Sequence, residues 1–387
     1  MDLARIQEAL RREKLDGWLF FDHHQRDPLA YRILGLELGQ HVTRRWYYLI
    51  PATGEPRGLV HRIESGILKT LPGDKAQYSS WQEQHAGLGR LLKGAKRIAM
   101  QYSPRCAVPY VSLVDAGTME LVRDHDVEVV TSAELVQEFE ACLTETEFAT
   151  HIEAGKRVDK VCAGAFRFMS EKLAGGVDEM LVHDWILEQF RGAGMVTDNG
   201  PIVGVNAHAG DPHYEPSAAT SSAIRAGDFV LLDMWAKLDE ADAVYYDITW
   251  TGFCGEPPAR IREVFEIVCD ARDSAIETVR AAVSAGREIR GFEVDDAARN
   301  FIRSRGYADR FIHRTGHSIG SEVHGTGANM DNLETHDERR VLPGSLFSVE
   351  PGVYLEDFGV RSEVNVFVGP HSAGTTGAVQ RDLIRIG

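Results

Sequence analysis

No stretch of the 387 residues approaches the roughly 18 consecutive apolar residues that a bilayer-spanning helix requires, which excludes a helical membrane protein. Basic residues are in short supply: 42 Lys and Arg stand against 58 Asp and Glu, a formal charge of −16. Phosphate binding needs a basic footprint that this excess of acid denies, so no nucleic-acid partner is expected. Cysteine is also scarce. Cys106, Cys142, Cys162, Cys254 and Cys269 are odd in number, scattered, and never spaced as Cys-x-x-Cys. Neither a disulfide framework nor a thiolate zinc site is therefore indicated. The opening residues Met1-Asp2-Leu3-Ala4-Arg5-Ile6-Gln7 lack the apolar core of a signal peptide, which makes cytoplasmic residence the expectation.

What is present is the patterning of two ordinary domains. Leu3, Ile6 and Leu10 recur at helical spacing and predict a helix over Leu3 to Lys14, followed at once by a strand over Gly17 to Phe21. Arg45 to Ile50 and Arg57 to His61 flank the turn-rich Pro51-Ala52-Thr53-Gly54-Glu55-Pro56, as in a β-hairpin. Further strands are expected at Arg97 to Met100 and Val127 to Val130, so the first 140 residues read as an α/β domain. Thr144 and Glu147 form a capping box ahead of a long helix carrying Ile152, Val158, Cys162, Ala165 and Met169 on one face. We place the domain boundary just before it, giving domains 1–140 and 141–387. Helices are expected from Asp178 to Phe190 and, introduced by Pro257-Pro258, to about Val283. Strand-like segments between and after them make the second domain α+β.

Those strands carry the chemistry. Phe229-Val230-Leu231-Leu232-Asp233 is an apolar run that ends in a carboxylate, where an unpaired acid is costly. Tyr245 to Thr251 alternates, placing Asp247, Thr249 and Thr251 on one face and Tyr246, Ile248 and Trp250 on the other. With Lys237 to Asp242 as the hairpin loop, two carboxylates would meet across a strand pair. His317 stands between glycines in Thr315-Gly316-His317-Ser318-Ile319-Gly320. Glu350 ends the strand Phe347-Ser348-Val349, and Val360 to Val366 reads as one strand that points Glu363 and Asn365 the same way. Four carboxylates and one histidine form an oxygen-rich ligand set that suits Mn, Fe, Co or Zn in a paired site.

The order Asp, Asp, His, Glu, Glu resembles the metallopeptidases of the creatinase or pita-bread fold (family M24), above all the Xaa-Pro dipeptidases (prolidases) and aminopeptidases. The family's Gly-His-x-Ile-Gly with a second histidine seven positions on is met by His317 and His324. Its Glu-Pro-Gly-x-Tyr is met by Glu350 to Tyr354, and its Gly-Val-Arg-x-Glu by Gly359 to Glu363. Asp27-Pro28-Leu29-Ala30-Tyr31-Arg32-Ile33-Leu34-Gly35 loosely resembles the family's Asn-x-x-Tyr-Leu-Thr-Gly turn.

The resemblance implies a creatinase-like α/β N-terminal domain, a pita-bread catalytic domain, and two divalent metal ions, Mn foremost, with Co, Zn or Fe as alternatives. Asp233 would chelate one metal, His317 and Glu350 the other, and Asp247 and Glu363 would bridge the pair. Glu350 would accept a proton from water, and His213 and His324 would hydrogen-bond the substrate or its oxyanion and move protons. His208 competes with His213 for the upstream histidine role. Arg361 would anchor a substrate carboxylate or, equally, support Glu363 from behind. Tyr214, Trp235, Tyr246, Trp250 and Tyr354 are aromatics able to line a prolyl pocket. The implied substrate is a dipeptide or short peptide with proline after the scissile bond, and the implied assembly is a homodimer.

Three departures stand against the match. Asp233 and Asp247 are fourteen apart where the family usually has eleven. Trp250 stands where proline-specific members often carry arginine, and Gly325-Thr326-Gly327-Ala328-Asn329 replaces the usual Glu-x-Pro after the second histidine. The hairpin loop can absorb the first, while the Trp250 and Gly325 departures motivate an alternative, hydrolysis of a non-prolyl amide at the same site; a less favoured one, suggested by relatives of the fold that act as chaperones or scaffolds, is a non-catalytic binding module.

Overall fold

The computed structural model describes all residues, Met1–Gly387, which group into two compact units, Met1–Glu140 and Ala141–Gly387. No helix is long and apolar enough to cross a membrane.

The first unit is one sheet between two layers of helix. Its strands are β1 (Gly17–Asp22), β2 (Trp46–Pro51), β3 (Arg57–His61), β4 (Asp74–Tyr78), β5 (Arg97–Met100) and β6 (Glu128–Thr131), in the order β4-β3-β2-β1-β5-β6. β1 pairs antiparallel with β2 and parallel with β5, and every residue of it is buried. Side chains alternate across a strand, so Trp18 and Phe20 face one core while Leu19 and Phe21 face the other. The first core is completed by helices α1 (Leu3–Arg12), α2 (Pro28–Leu34) and α5 (Ala133–Glu140). The second is completed by α3 (Trp81–Leu91) and α4 (Ala116–Arg123).

Two expectations are corrected here. α1 stops at Arg12, because Lys14 adopts a left-handed φ of 55° that the helix cannot continue through. Asp27 to Gly35 is a helix and no mere turn: Asp27 Oδ1 accepts from the Ala30 N–H at 3.0 Å, Pro28 sits at the first helical position, and Gly35 closes the end at φ 68°.

The second unit is built on the pair β11 (Phe229–Leu238) and β12 (Tyr246–Cys254). Earlier in the chain come α6 (Glu145–Lys172), β7 (Val177–Asp178), α7 (Glu179–Gly192), β8 (Met195–Val196), β9 (Ile202–Val205) and β10 (Ala223–Ile224). After it come α8 (Ala259–Ser284), α9 (Gly291–Ser304), β13 (Leu346–Val349), β14 (Gly352–Tyr354), β15 (Gly359–Arg361), β16 (Val364–Val368), β17 (Ala373–Thr375) and β18 (Ile384–Ile386). The capping box of α6 is formed: the Glu147 N–H donates to Thr144 Oγ1 at 3.2 Å and the Thr144 N–H to Glu147 Oε2 at 2.7 Å.

β11 separates two cores. Val230, Leu232, Met234 and Ala236 face residues of α6 and α7, whereas Phe229 and Leu231 face residues of α8 and α9. Val360 to Val366 is not one strand. β15 pairs with β14 and β16 with β13, and Ser362 and Glu363 form the break between them. The buried Arg272 of α8 fixes that break by donating from Nη1 to Ser362 Oγ at 2.6 Å.

Candidate metal centre

β11 and β12 set the first two acids. Asp233 lies opposite Thr249, and Trp235 opposite Asp247, so Asp233 and Asp247 are diagonal neighbours on the face shared with Phe229 and Leu231. The side-chain amide of Asn365 straddles the backbone of Asp247, accepting from its N–H at 3.2 Å and donating to its carbonyl at 2.7 Å. Asp247 is thereby fixed while its carboxylate stays free of that bond.

His317 arrives on an irregular segment held from below. Asp295 of α9, fully buried, accepts from the Thr315 N–H at 2.9 Å and hydroxyl at 2.8 Å, and is itself gripped by both arms of Arg299. Gly316 is required by close approach, since a Cβ there would fall 1.9 Å from the Ser348 carbonyl oxygen. Ser348 Oγ accepts from the His317 N–H at 2.9 Å and donates to Glu350 Oε1 at 3.0 Å, which ties two expected ligands together. The His317 Nδ1–H donates to the Ser318 carbonyl at 3.2 Å, which turns Nε2 toward the acids, 3.5 Å from Asp247 and 3.4 Å from Glu350, as a ligand nitrogen.

Glu363 enters from the β15–β16 break. Thr249 Oγ1 donates to Glu363 Oε2 at 2.8 Å and accepts from Arg361 Nε at 3.0 Å. The Arg361 guanidinium is bonded within the cluster, donating from Nη2 to Asp233 and from Nη1 to the Tyr354 hydroxyl at 3.1 Å. Tyr354 in turn donates to His313 Nε2 at 2.7 Å, whose Nδ1–H donates to the Arg314 carbonyl at 2.6 Å.

Four carboxylates gathered near Arg361, which pairs with Asp233 and lies 3.9 Å from Glu350, leave a large negative excess in a buried place. Burial, and then the charge of Asp233, push Asp247 well above the usual carboxylate range. Glu363 is pushed well above it by burial and then by Asp247, and Glu350 is raised chiefly by burial. Burial lowers His317 below the ordinary histidine range and, with His317 beside it, brings His324 down to about 3. Asp247 Oδ1 and Glu363 Oε1 are buried without a hydrogen-bond partner, and ligand atoms of Asp247, His317 and Glu363 lie within 4.8 Å of one another. Orphaned carboxyl oxygens beside an imidazole nitrogen fit divalent cations.

The centre opens into a cavity of about 360 Å³, lined by Asp233, Asp247, His317, Glu350 and Glu363, and also by His213, His324, Trp235 and Arg361. His208 is elsewhere, donating from Nδ1 to Glu179 at 2.8 Å. Four expectations about the pocket are corrected. Trp250 lies on the opposite face of β12 and packs with the core under α6 and α7. Tyr246 also packs there and donates to Asp159 at 3.0 Å. Tyr354 sits behind Arg361, outside the cavity wall, and the guanidinium of Arg361 is spent on Asp233, Thr249 and Tyr354, so it serves the acids in preference to a substrate carboxylate. Of the expected aromatics, Trp235 reaches the cavity, its Nε1–H donating to Asp198 at 2.7 Å. His313, which also lines it, carried no sequence signal beyond its place four residues before His317.

The chain is similar to known proteins in sequence and in fold. The sequence pattern of the family described as metallopeptidase family M24 matches residues 149–370. An Xaa-Pro dipeptidase of Lactobacillus delbrueckii is 33% identical over 223 residues, which span 57% of this chain and about half (55%) of that enzyme. Dipeptidase PepE from Mycobacterium ulcerans matches in structure with a TM-score of 0.72 at 23% identity, over 99% of this chain and 96% of that one. An X-prolyl aminopeptidase of Caenorhabditis elegans, described as a cytosolic enzyme with a di-nuclear active site, matches with a TM-score of 0.66 at 17% identity, over 97% of this chain and 61% of that one.

Proposed function

The chain belongs to metallopeptidase family M24, and from that premise we propose that it hydrolyses the peptide bond preceding proline in dipeptides or short peptides, using two divalent cations. The observation that carries the metal part is the pair of orphaned oxygens, on Asp247 and Glu363, in a cluster of three buried acids and the partly buried Glu350. Proline as the substrate residue is supported by the similarity to an Xaa-Pro dipeptidase. Manganese as the metal, a homodimeric state and a cytoplasmic location go with the same reading.

Asp233, Asp247, His317, Glu350 and Glu363 would hold the cation pair, whose chemistry would be to supply hydroxide near neutral pH and polarise the scissile carbonyl. The residues of the chain do the rest. Glu350, steadied by the Ser348 hydroxyl, takes the proton of the attacking water and returns it to the leaving amine. His324, its ring centroid 4.3 Å from that of His317 and edge-on to it, is neutral and offers an N–H to the oxyanion. His213, on the cavity wall, binds the peptide and moves protons at its departing end. Arg361 keeps Asp233 oriented, and Trp235 gives the prolyl ring a flat apolar surface.

The test is turnover by the Mn²⁺-loaded protein on a panel of Xaa-Pro dipeptides. Release of the N-terminal residue, abolished when proline is replaced by alanine, is expected. Equal cleavage of the alanine analogues would favour the broader amide hydrolase, a reading now motivated by the Gly325 to Asn329 departure alone, since Trp250 does not line the cavity.

A further inference from the structure

Glu179 opens α7, yet its side chain is fully buried. A buried carboxylate persists only where donors replace the water it has lost, and Glu179 has four. Oε1 accepts from the Val205 N–H at 2.8 Å and from His208 Nδ1 at 2.8 Å. Oε2 accepts from the Tyr214 hydroxyl at 2.7 Å and from the Ser222 N–H at 2.7 Å. The start of α7 adds its own ties, from the Glu179 N–H to the Ser222 carbonyl at 3.1 Å and from the Met180 N–H to Ser221 Oγ at 3.1 Å.

These donors are not scattered. Val205 ends β9, His208 lies in the turn that follows, Tyr214 is in mid-loop, and Ser222 immediately precedes β10. One carboxylate therefore gathers the beginning, middle and end of the connection between two strands. His208 reinforces the gathering by stacking on Tyr214, with ring centroids 4.1 Å apart and planes at 23°. The residue before Tyr214 is His213, exposed on the metal cavity's wall, where its own N–H is tied to Asp211 Oδ1 at 3.1 Å. The place of its imidazole is thus set through its neighbour, whose hydroxyl Glu179 pins.

We infer that Glu179 is a positioning residue: its carboxylate holds the loop that presents His213 to the substrate, from outside the cavity. The inference rests on the reading of His213 given above. It also assigns His208 a task, that of a strut between Glu179 and Tyr214.

Glu179→Gln keeps the shape but turns one acceptor into an N–H₂ group that faces donors, so at least one tether is lost and the loop is loosened. The expected fall in kcat/KM on an Xaa-Pro dipeptide is roughly 10- to 100-fold, the range seen when an orienting partner is removed, with metal content unchanged because no ligand lies on this loop. Tyr214→Phe cuts a single tether and carries the test if Glu179→Gln fails to fold.

Two measurements on the full-length Mn²⁺-loaded protein decide the matter. In hydrogen exchange, segment 206–222 is expected to exchange faster in either variant while β11 and α8 stay protected; an unchanged segment overturns the inference. In a double-mutant cycle, Glu179→Gln added to His213→Ala is expected to cost little beyond His213→Ala alone; losses that multiply mean Glu179 does not act through His213. Full activity of His213→Ala also overturns the inference. A wild-type protein that cleaves no Xaa-Pro peptide sinks the proposed reaction, and the exchange measurement then decides by itself whether Glu179 holds the loop.

Discussion

Removing the metals should make this protein's stability depend on pH in a way the loaded protein's does not. Asp233 and Glu350 pair with Arg361, and Asp247 and Glu363 feel its charge without pairing with it. An unpaired buried ion carries an effective penalty of several kcal/mol, so three uncompensated carboxylates would cost on the order of 10 kcal/mol, comparable to the whole stability of a domain. The metal-free pocket avoids this by keeping protons, which is why Asp247, Glu350 and Glu363 titrate above the ordinary range. Raised carboxyl pKa values mean that the folded state binds more protons than the unfolded one. The stability this gives is complete below the ordinary carboxylate range and is lost as pH rises from there through the folded values.

Cations replace those protons, so the gap between loaded and metal-free protein widens with pH. At metal a thousandfold above Kd the stabilisation is about 4 kcal/mol, roughly 10 °C in Tm for a unit of this size. At about pH 5, where protons compete for the same oxygens, the gap should be much smaller. Asp27 of the first unit, pushed up to about 7 by burial, titrates in both samples and cancels from the difference. His317, lowered below the ordinary histidine range by burial, releases less than an ordinary imidazole would. Thermal unfolding in chelator and in Mn²⁺ across this range, with proton release on metal addition followed by an indicator dye, tests the reasoning. An equal shift in Tm at about pH 5 and pH 8 with no proton release would refute it.

Arg361→Met, which leaves Asp233 buried and unpaired, should cost the metal-free protein about 3–5 kcal/mol by denaturant unfolding, and less once Mn²⁺ is bound; equal losses in both states would contradict the pairing. Ser348→Ala removes the acceptor for the His317 N–H and the donor to Glu350. It should weaken metal affinity roughly 10- to 100-fold, read by competition with a chromophoric chelator. Trp250→Phe, on the face turned away from the metals, should leave kcat/KM within about twofold while lowering stability by about 1 kcal/mol; a large loss of activity at full stability would return Trp250 to the substrate pocket.

The acids were legible because each breaks a local rule. A carboxylate closing an apolar run such as Phe229 to Leu232 has no cheap explanation, and alternation alone put Asp247 on the face away from Trp250. That alternation already argued against Trp250 as a pocket residue, and it was outweighed by a positional likeness. The break at Ser362 and Glu363 was invisible because it depends on which strand each half pairs with, and on Arg272, about ninety positions earlier. The same holds for Asp295 beneath Thr315 and for Tyr354 between Arg361 and His313. Their roles arise from contacts between distant segments, and residue type does not announce them. Tyr354 was matched by motif, but only the fold shows that it faces the arginine and lies outside the cavity wall.

The central claim is that metals held by these five residues cleave before proline. Its most direct measurement is a titration of metal-free protein with Mn²⁺, following hydrolysis of an Xaa-Pro dipeptide and its Xaa-Ala analogue at each step. No turnover in chelator, activity that rises to a plateau at two equivalents, and cleavage of the prolyl substrate alone are expected. Full activity without metal, or equal cleavage of both dipeptides, would contradict it.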